Sequence, residues 1–477
     1  MSTADILVST TQNLPRLLQV QREAFMQGAP TYDDRMRSLA TLRDSLRAHQ
    51  EELLCAVSDD FGGRAREETL MLELFPLYDQ IRHARSHLRN WMKRRWVRSS
   101  WFLLPSRAFY QYQPLGVVGV IGAWNYQTYL TLGPAVDAIA AGNHVMLKPS
   151  EIAPRSADVI AKIVAECFPP EYVACVTGGP EVASAFASLP FDHLFFTGST
   201  RVGRMVMQAA AANLTPVTLE LGGKCPAIIH SSYPMETAVH RIVGGKLFNA
   251  GQTCVAPDYV LLPEGKEAEF EALVRKRVSS LYPQMAANPD YTRIVSHRHY
   301  DRLSALLADA RAKGARVVEL APEEQGSAES KVFVPALVFN STDSMGVMQE
   351  EIFGPILPIV TYRTVDEAVT YVSARPRPLA LYYFDEDMNR INHVLERTMS
   401  GGVTLNDCIL HLAQHNLPFG GVGPSGMGHY HGFDGFVTFS KKRGVMLQRR
   451  FSGMAIMRPP YKNRSKLFQS FIKMALR

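Results

Sequence analysis

The sequence predicts an α/β protein with a Rossmann-like parallel sheet, a second α/β unit after it and a small arm outside both. Three observations lead there. From Pro114 onward, short apolar runs recur with strand starts about 20 to 30 residues apart, and helical stretches lie between them. The same alternation starts again past Gly223. The flanks differ, being helical and basic before Pro114 and wholly cationic after Lys441.

The 477 residues are 46% apolar and 20% charged, ordinary for a globular protein of more than one domain. Six cysteines, at 55, 167, 175, 225, 254 and 408, are scattered without a Cys-x-x-Cys pair. That argues against a disulfide framework or a zinc ribbon and fits a reducing compartment, the cytoplasm. The start, Met1 to Leu7, lacks a basic stretch followed by an apolar run, so no signal peptide is expected. No uninterrupted apolar stretch is long enough to span a bilayer.

Taken in order, residues 33–58 read as one helix, with Met36, Leu39, Leu42, Leu46, Leu53 and Leu54 near a 3.6-residue period. A second helix is expected over 67–95 on the face made by Leu70, Leu74, Leu77, Ile81, Ala84, Leu88 and Trp91. Its end is basic and aromatic, from Arg89 to Trp101. No nucleic-acid motif accompanies it, so it reads as a solvated helix end leading into an arm that packs on a partner subunit.

Strands follow at 116–123, 144–149, 174–178, 193–198 and 217–221, with helices near 133–141, 156–166, 181–188 and 202–212. The second series has strands at 227–230, 259–263, 316–320, 333–339, 356–362 and 379–384. Its helices fall near 236–250, 266–282, 296–313, 365–373 and 387–398, and surface loops at 288–290 and 323–330. Pro418 to Gly428 holds five glycines in eleven residues, a loop where backbone must approach a ligand or another chain closely. The stretch 433–450 reads as a strand. From Lys441 to Arg477 there are eleven Lys and Arg and no Asp or Glu, so the rest of the chain carries −5 against a total of +6. Within that tail, 465–477 puts Leu467, Phe468, Phe471, Ile472, Ala475 and Leu476 on one side of a helix, with Lys466, Lys473 and Arg477 elsewhere. Such a helix lies on anionic lipid or packs on its own assembly.

Several stretches can carry chemistry. Cys254 sits between Gly251 and Ala256-Pro257 in Phe-Asn-Ala-Gly-Gln-Thr-Cys-Val-Ala-Pro-Asp. It reads as a nucleophile or as a buried structural thiol. Glu220 is an acid inside the apolar strand Leu-Glu-Leu-Gly-Gly-Lys. Burial would raise its pKa toward that of a general base, unless it pairs with Lys224. Asn125, in Ala-Trp-Asn-Tyr at a strand end, can donate to an oxyanion or cap a turn. Lys148 and Glu151 close another strand, where nucleotides dock in open α/β sheets, or form an exposed pair. Gly198, Ser199 and Gly203 mark a strand-to-helix turn suited to phosphate, or a tight structural turn. Glu351 and Phe353 lie in Glu-Glu-Ile-Phe-Gly-Pro, which fits a second ribose and a flat ring or is a plain strand entry. His411 and His415 have zinc-like spacing but no accompanying ligand set, so they and His429 and His431 read as structural, with no metal expected.

Together these blocks, in this order and with Glu220 34 residues before Cys254, resemble the aldehyde dehydrogenase family over about residues 30 to 450. The short N-terminus and Thr438-Phe-Ser-Lys resemble its class 3 branch, whose members are usually homodimers. The stretches Phe248 to Pro263 and Asn288 to Thr292 are similar to coniferyl aldehyde dehydrogenases. The resemblance implies an NAD-binding domain (1–98 and 114–222), a catalytic domain (223–421), oligomerisation segments (99–113 and 422–452) and a basic tail (453–477). It implies Cys254 as nucleophile, Glu220 as the base that activates water, and Asn125 with the Cys254 N–H as oxyanion hole. Lys148 and Glu151 would hold the adenosine ribose, and Gly198, Ser199 and Gly203 the pyrophosphate. Glu351 would hold the nicotinamide ribose, with Phe353 and Trp124 beside it. The implied reaction oxidises an aldehyde with NAD, or NADP, through a cysteine thioester; the aldehyde is a phenylpropenal or an aliphatic, fatty or terpenoid one. No nucleic acid is implied, and membrane contact through the tail stands as an alternative to packing. Three departures stand out. Gln127 replaces the usual proline two residues past Asn125, which bears on the mouth of the substrate tunnel. Cys225 replaces serine, and Thr253 precedes the nucleophile.

Overall fold

The computed structural model describes residues 12–321, 326–450, 452 and 457–476. The readings of Met1 to Leu7, of 323–325 and of Arg477 lie outside them. Both alternating series form sheets. In the first, Val117–Ile121 lies at the centre, with His144–Lys148 and Val173–Cys175 on one side. His193–Thr197 and Val217–Glu220 lie on the other, all five strands parallel. The two-residue strand Gly426–Met427 closes this edge antiparallel, pairing Gly426 with Glu220. The central strands are buried on both faces, which is why they appear in the sequence as unbroken apolar runs.

The second sheet has seven strands, in the order Arg316–Glu319, Ala336–Phe339, Ile356–Tyr362, Tyr259–Pro263, Pro226–Ile229, Ala380–Phe384 and Gly402–Leu405. All pair in parallel except the first. A third sheet of Arg95–Val97, Arg107–Pro114 and Ser440–Leu447 is antiparallel and largely exposed.

Several elements differ from expectation, among them the strands Arg95–Val97, Arg107–Pro114 and Gly402–Leu405, which no expected strand covers. The helix expected over 33–58 is two, Tyr32–Ala48 and Gln50–Phe61, meeting at His49. The one expected over 67–95 runs as Arg66–Thr69, a π-helical turn Leu70–Leu74, and Phe75–Trp91. Pro76, which has no N–H for the helical ladder, directly follows the widened turn. The strand expected over 433–450 begins as the helix Gly432–Thr438. A helix at Leu14–Met26 goes unforeseen, although Leu14, Leu17, Leu18 and Gln21 are spaced to bury one face and Pro15 suits a first turn. Its leucines pack on the first sheet with Val117, Met146 and Phe196. The tail forms a helix at Ser465–Ala475 with no buried residue, and Phe471 stands edge-on to Trp101, ring centres 5.6 Å apart.

Candidate active site

The sequence-predicted residues of the first sheet meet at the carboxyl ends of its strands. Asn125 follows Val117–Ile121, Lys148 ends its strand, Gly198 and Ser199 follow His193–Thr197, and Glu220 ends Val217–Glu220. This is the rim where open α/β sheets bind ligands.

Cys254 reaches that rim on a sharply folded loop. Helix Met235–Leu247 runs into Phe248–Gly251, where Asn249, Ala250 and Gly251 all take left-handed φ of 53°, 51° and 76°. A side chain at Gly251 would collide with the Gly354 carbonyl, so this position needs glycine. Asn249 stabilises its own conformation by donating through Nδ2 to the Asn125 carbonyl (3.0 Å) and the Gln252 carbonyl (3.1 Å). Gln252 Nε2 donates to the Asn249 carbonyl (2.9 Å) and the Arg293 carbonyl (3.1 Å). Asn125 Nδ2 donates to the Gln252 carbonyl at 3.1 Å, which joins the amide to the loop two residues before the thiol. One hydrogen of that NH₂ remains to be directed elsewhere.

Cys254 is half-buried as a residue, and the N–H groups of Cys254 and Val255 face its sulfur. Burial pushes its pKa up, and the charges of Glu351 and Glu220 push the same way, which places both acids within electrostatic reach of the thiol. Glu220 is 3% exposed, and neither carboxylate oxygen has a hydrogen-bond partner among the described residues. Burial alone raises its pKa well above the ordinary range. The alternative pairing with Lys224 is not made. Lys224 instead pairs with Asp258 and donates to the carbonyls of Val347 (2.6 Å) and Glu350 (3.1 Å).

Glu351 comes from the second sheet's side. Its carboxylate lies over Gly222, where a side chain would collide with it, and accepts from the Gly223 N–H. Its Oε1 is buried without a partner among the described residues, and burial, then the charge of Asp258, raises its pKa to about 8. Phe353 has φ 51°, a strained conformation for a bulky residue. Its ring meets Trp124 edge-on at 5.4 Å, and Trp124 also meets His299 at 5.1 Å. Lys148 is 1% exposed and bonds Glu151 Oε2 at 3.0 Å, so the lysine is buried rather than part of an exposed pair. Ser199 caps helix Thr200–Ala211, accepting from the Val202 N–H. Gly203 lets that helix close on Leu221, so its missing side chain serves packing next to the strand of Glu220.

Two departures from the family pattern are quiet. Cys225 donates to the Cys254 carbonyl (3.5 Å), and Thr253 shares a 2.7 Å bond with Tyr126. The third, Gln127, is engaged with the loop at 150–156.

Sequence reasoning missed the support behind Asn125. Arg64 Nη1 donates to the Asn125 carbonyl (3.2 Å) and to Glu73 Oε1 (2.8 Å), and Glu73 Oε2 accepts from the Thr128 N–H (2.8 Å). The available signal was an acid, Glu73, on the apolar face of its helix between Leu70 and Leu77. His411 bonds Thr404 and His415 bonds Asp79, both structural. Among the described residues no group of three His, Cys, Asp or Glu could hold a metal, and no helix is long and apolar enough to cross a membrane.

The groups at the rim fit a dinucleotide by type: Glu151 and Glu351 carry carboxyl oxygens of the kind that accept from sugar diols, and the Ser199 turn has helix N–H groups of the kind that face a pyrophosphate. The model of the aldehyde dehydrogenase family matches residues 4–445. The chain is 49% identical over 449 residues, 94% of each chain, to the "probable coniferyl aldehyde dehydrogenase" of Pseudomonas aeruginosa. It superposes on the substrate-bound state of Staphylococcus aureus AldH with a TM-score of 0.91 at 37% identity, covering 96% of this chain and 99% of the other. It also superposes on a point mutant of S. aureus betaine aldehyde dehydrogenase in complex with NAD+, with a TM-score of 0.80 at 25% identity, covering 93% and 91%. A thiol, an unpaired buried acid and an amide gathered at a sheet rim thus agree with what whole-chain similarity says independently: this chain belongs to the aldehyde dehydrogenase family.

Proposed function

We propose that the chain oxidises a phenylpropenal such as coniferyl aldehyde to its carboxylic acid through a thioester on Cys254. The observation that carries the mechanism is Glu220, a buried carboxyl with both oxygens unpartnered among the described residues and within electrostatic reach of the sulfur. The substrate class rests on the 49% identical relative and its name.

NAD, when bound, supplies the hydride acceptor. The chain's residues do the rest. The Cys254 sulfur adds to the carbonyl carbon, and the N–H groups of Cys254 and Val255 facing the sulfur favour its thiolate. The free hydrogen of the Asn125 amide meets the oxyanion that forms. Cys254 then carries the acyl group as a thioester, and Glu220 takes a proton from the water that releases the acid. Lys148, Glu151, Gly198, Ser199 and Gly203 shape the adenosine and pyrophosphate end, and Glu351, Phe353 and Trp124 the nicotinamide end. Segments 1–98 and 114–222 hold the cofactor, and 223–421 carries the nucleophile.

The test is a panel of aldehydes assayed with NAD and with NADP. Coniferyl aldehyde with NAD should give the higher kcat/KM; faster turnover of decanal would replace the substrate class with an aliphatic one.

The enzyme is in this reading a cytoplasmic homodimer joined through 99–113 and 422–452. The exposed Trp96, Leu104, Met446 and Leu447 of the antiparallel arm support a second copy covering it. Light scattering should give twice the chain mass. The tail packs on the arm, a reading supported by the Phe471–Trp101 contact. Salt-sensitive binding to anionic vesicles, abolished by truncation after Arg450, would instead assign it to a membrane surface.

A further inference from the structure

We propose that Gln127 is a positioning residue for the cofactor, a buried carboxamide that ties the Asn125 corner to the loop carrying Lys148 and Glu151. The inference rests on the reading that these two residues meet the adenosine ribose.

Gln127 is the first residue of helix Gln127–Ala141, two positions past Asn125, and is 1% exposed. Its whole side chain faces the loop between strand His144–Lys148 and helix Pro154–Cys167. Oε1 accepts from the Ser150 N–H at 2.9 Å. Nε2 donates to the Ala153 carbonyl and to Ser156 Oγ, the latter at 3.1 Å. Both amide hydrogens are therefore used across the gap.

The far end of the loop is held separately. Asp60 accepts from the N–H groups of Arg155 and Ser156, each at 2.9 Å, and from Ser156 Oγ at 2.6 Å. Ser156 Oγ thus links Gln127 to Asp60. Between these anchors the side-chain bonds are local: Ser150 Oγ accepts from the Ile152 N–H (3.3 Å), and Lys148 bonds Glu151. Gln127 is then what fixes the middle of the loop, where Glu151 sits. The proline usual at this position has no carboxamide and could make none of these bonds. The tie is a feature of this chain, and it joins the site's amide corner to its nucleotide corner in a single residue.

Gln127→Met keeps the side chain's length and removes its hydrogen bonds. In cofactor-free protein it should increase hydrogen–deuterium exchange in peptides covering 149–153. By calorimetry the NAD dissociation constant should rise about tenfold, the scale of one lost buried hydrogen bond. KM for NAD should rise in parallel, while kcat at saturating NAD and KM for the aldehyde stay within about twofold, since the reacting groups are untouched. Ser156→Ala, which removes only the shared hydroxyl, should shift NAD affinity the same way by less and serves if the methionine variant fails to fold. Unchanged exchange and unchanged NAD affinity in a folded variant would overturn the inference, as would a fall in kcat with no change in NAD affinity. Glu151→Ala separates the two levels. If it weakens NAD binding and Gln127→Met does not, only the positioning role falls. If Glu151→Ala leaves NAD affinity unchanged, the ribose reading falls and this inference with it.

Discussion

Two acids around the proposed site lose nearly all contact with solvent, Glu73 at 0% exposure and Glu220 at 3%, and their surroundings otherwise have nothing in common. Glu73 is held by Arg64 and by the N–H groups of Thr128 and Tyr129 at the start of helix Gln127–Ala141. Glu220 is held by nothing among the described residues. Burial pushes both acids upward, but at Glu73 the Arg64 charge and the N–H donors push back, whereas at Glu220 burial acts alone. A carboxylate with its donors in place is a fixed strut, here bracing the backbone of Asn125. One with none can exchange a proton without breaking anything, which a general base requires.

The contrast can be broken by substitution. The largest effect belongs to Cys254, the proposed nucleophile. Cys254→Ala should reduce aldehyde-dependent NADH formation to background; persistence near the wild-type rate would remove the covalent route altogether. Next comes Glu220→Gln. Steady turnover should fall by about 10²- to 10⁴-fold, the usual contribution of a positioned base, while a stopped-flow burst of NADH survives. Undiminished steady turnover would reassign the base. Glu73→Gln should act elsewhere. Taking from buried Arg64 the nearer of its two carboxylates, the other being Glu68 at 3.9 Å, should cost about 3–5 kcal/mol of stability in denaturant titrations. If Glu73→Gln instead leaves stability intact and gives a burst of NADH without steady turnover, the strut and the base have been assigned the wrong way round.

Part of this contrast was legible in the sequence. Parallel strands buried on both faces read as apolar runs, so the two alternating series and the strand-end positions of Lys148, Gly198 and Glu220 could be read directly. That Glu220 interrupts such a run was itself the sign of an acid out of place. The resemblance supplied roles that spacing could not, above all the choice of Cys254 among six cysteines. What stayed hidden depends on contacts far apart in the chain. Glu73 meets Thr128 55 positions away, and Asn249 meets Asn125 124 positions away. The helix Gly432–Thr438 was missed because glycines and phenylalanines favour no helix locally. It forms because Phe436 and Gly435 pack into the core, Gly435 against Asp137.

The last test separates the two acids by pH rather than by loss. Glu220 has a pKa raised in the folded chain, so folding favours its protonated form. Its contribution to stability is complete below the ordinary carboxylate pKa of about 4.3 and is lost as pH rises toward the folded value. Glutamine at this position cannot ionise. The stability of Glu220→Gln relative to the parent should therefore grow by about 1.4 kcal/mol per pH unit above the unfolded pKa, and level off once the pH passes the folded one. Glu351, raised to about 8, titrates in both proteins and cancels in the difference. Denaturant midpoints measured from pH 5 to 9 give that difference. A flat difference would mean that Glu220 has partners enough to ionise freely, and its distinction from Glu73 would disappear.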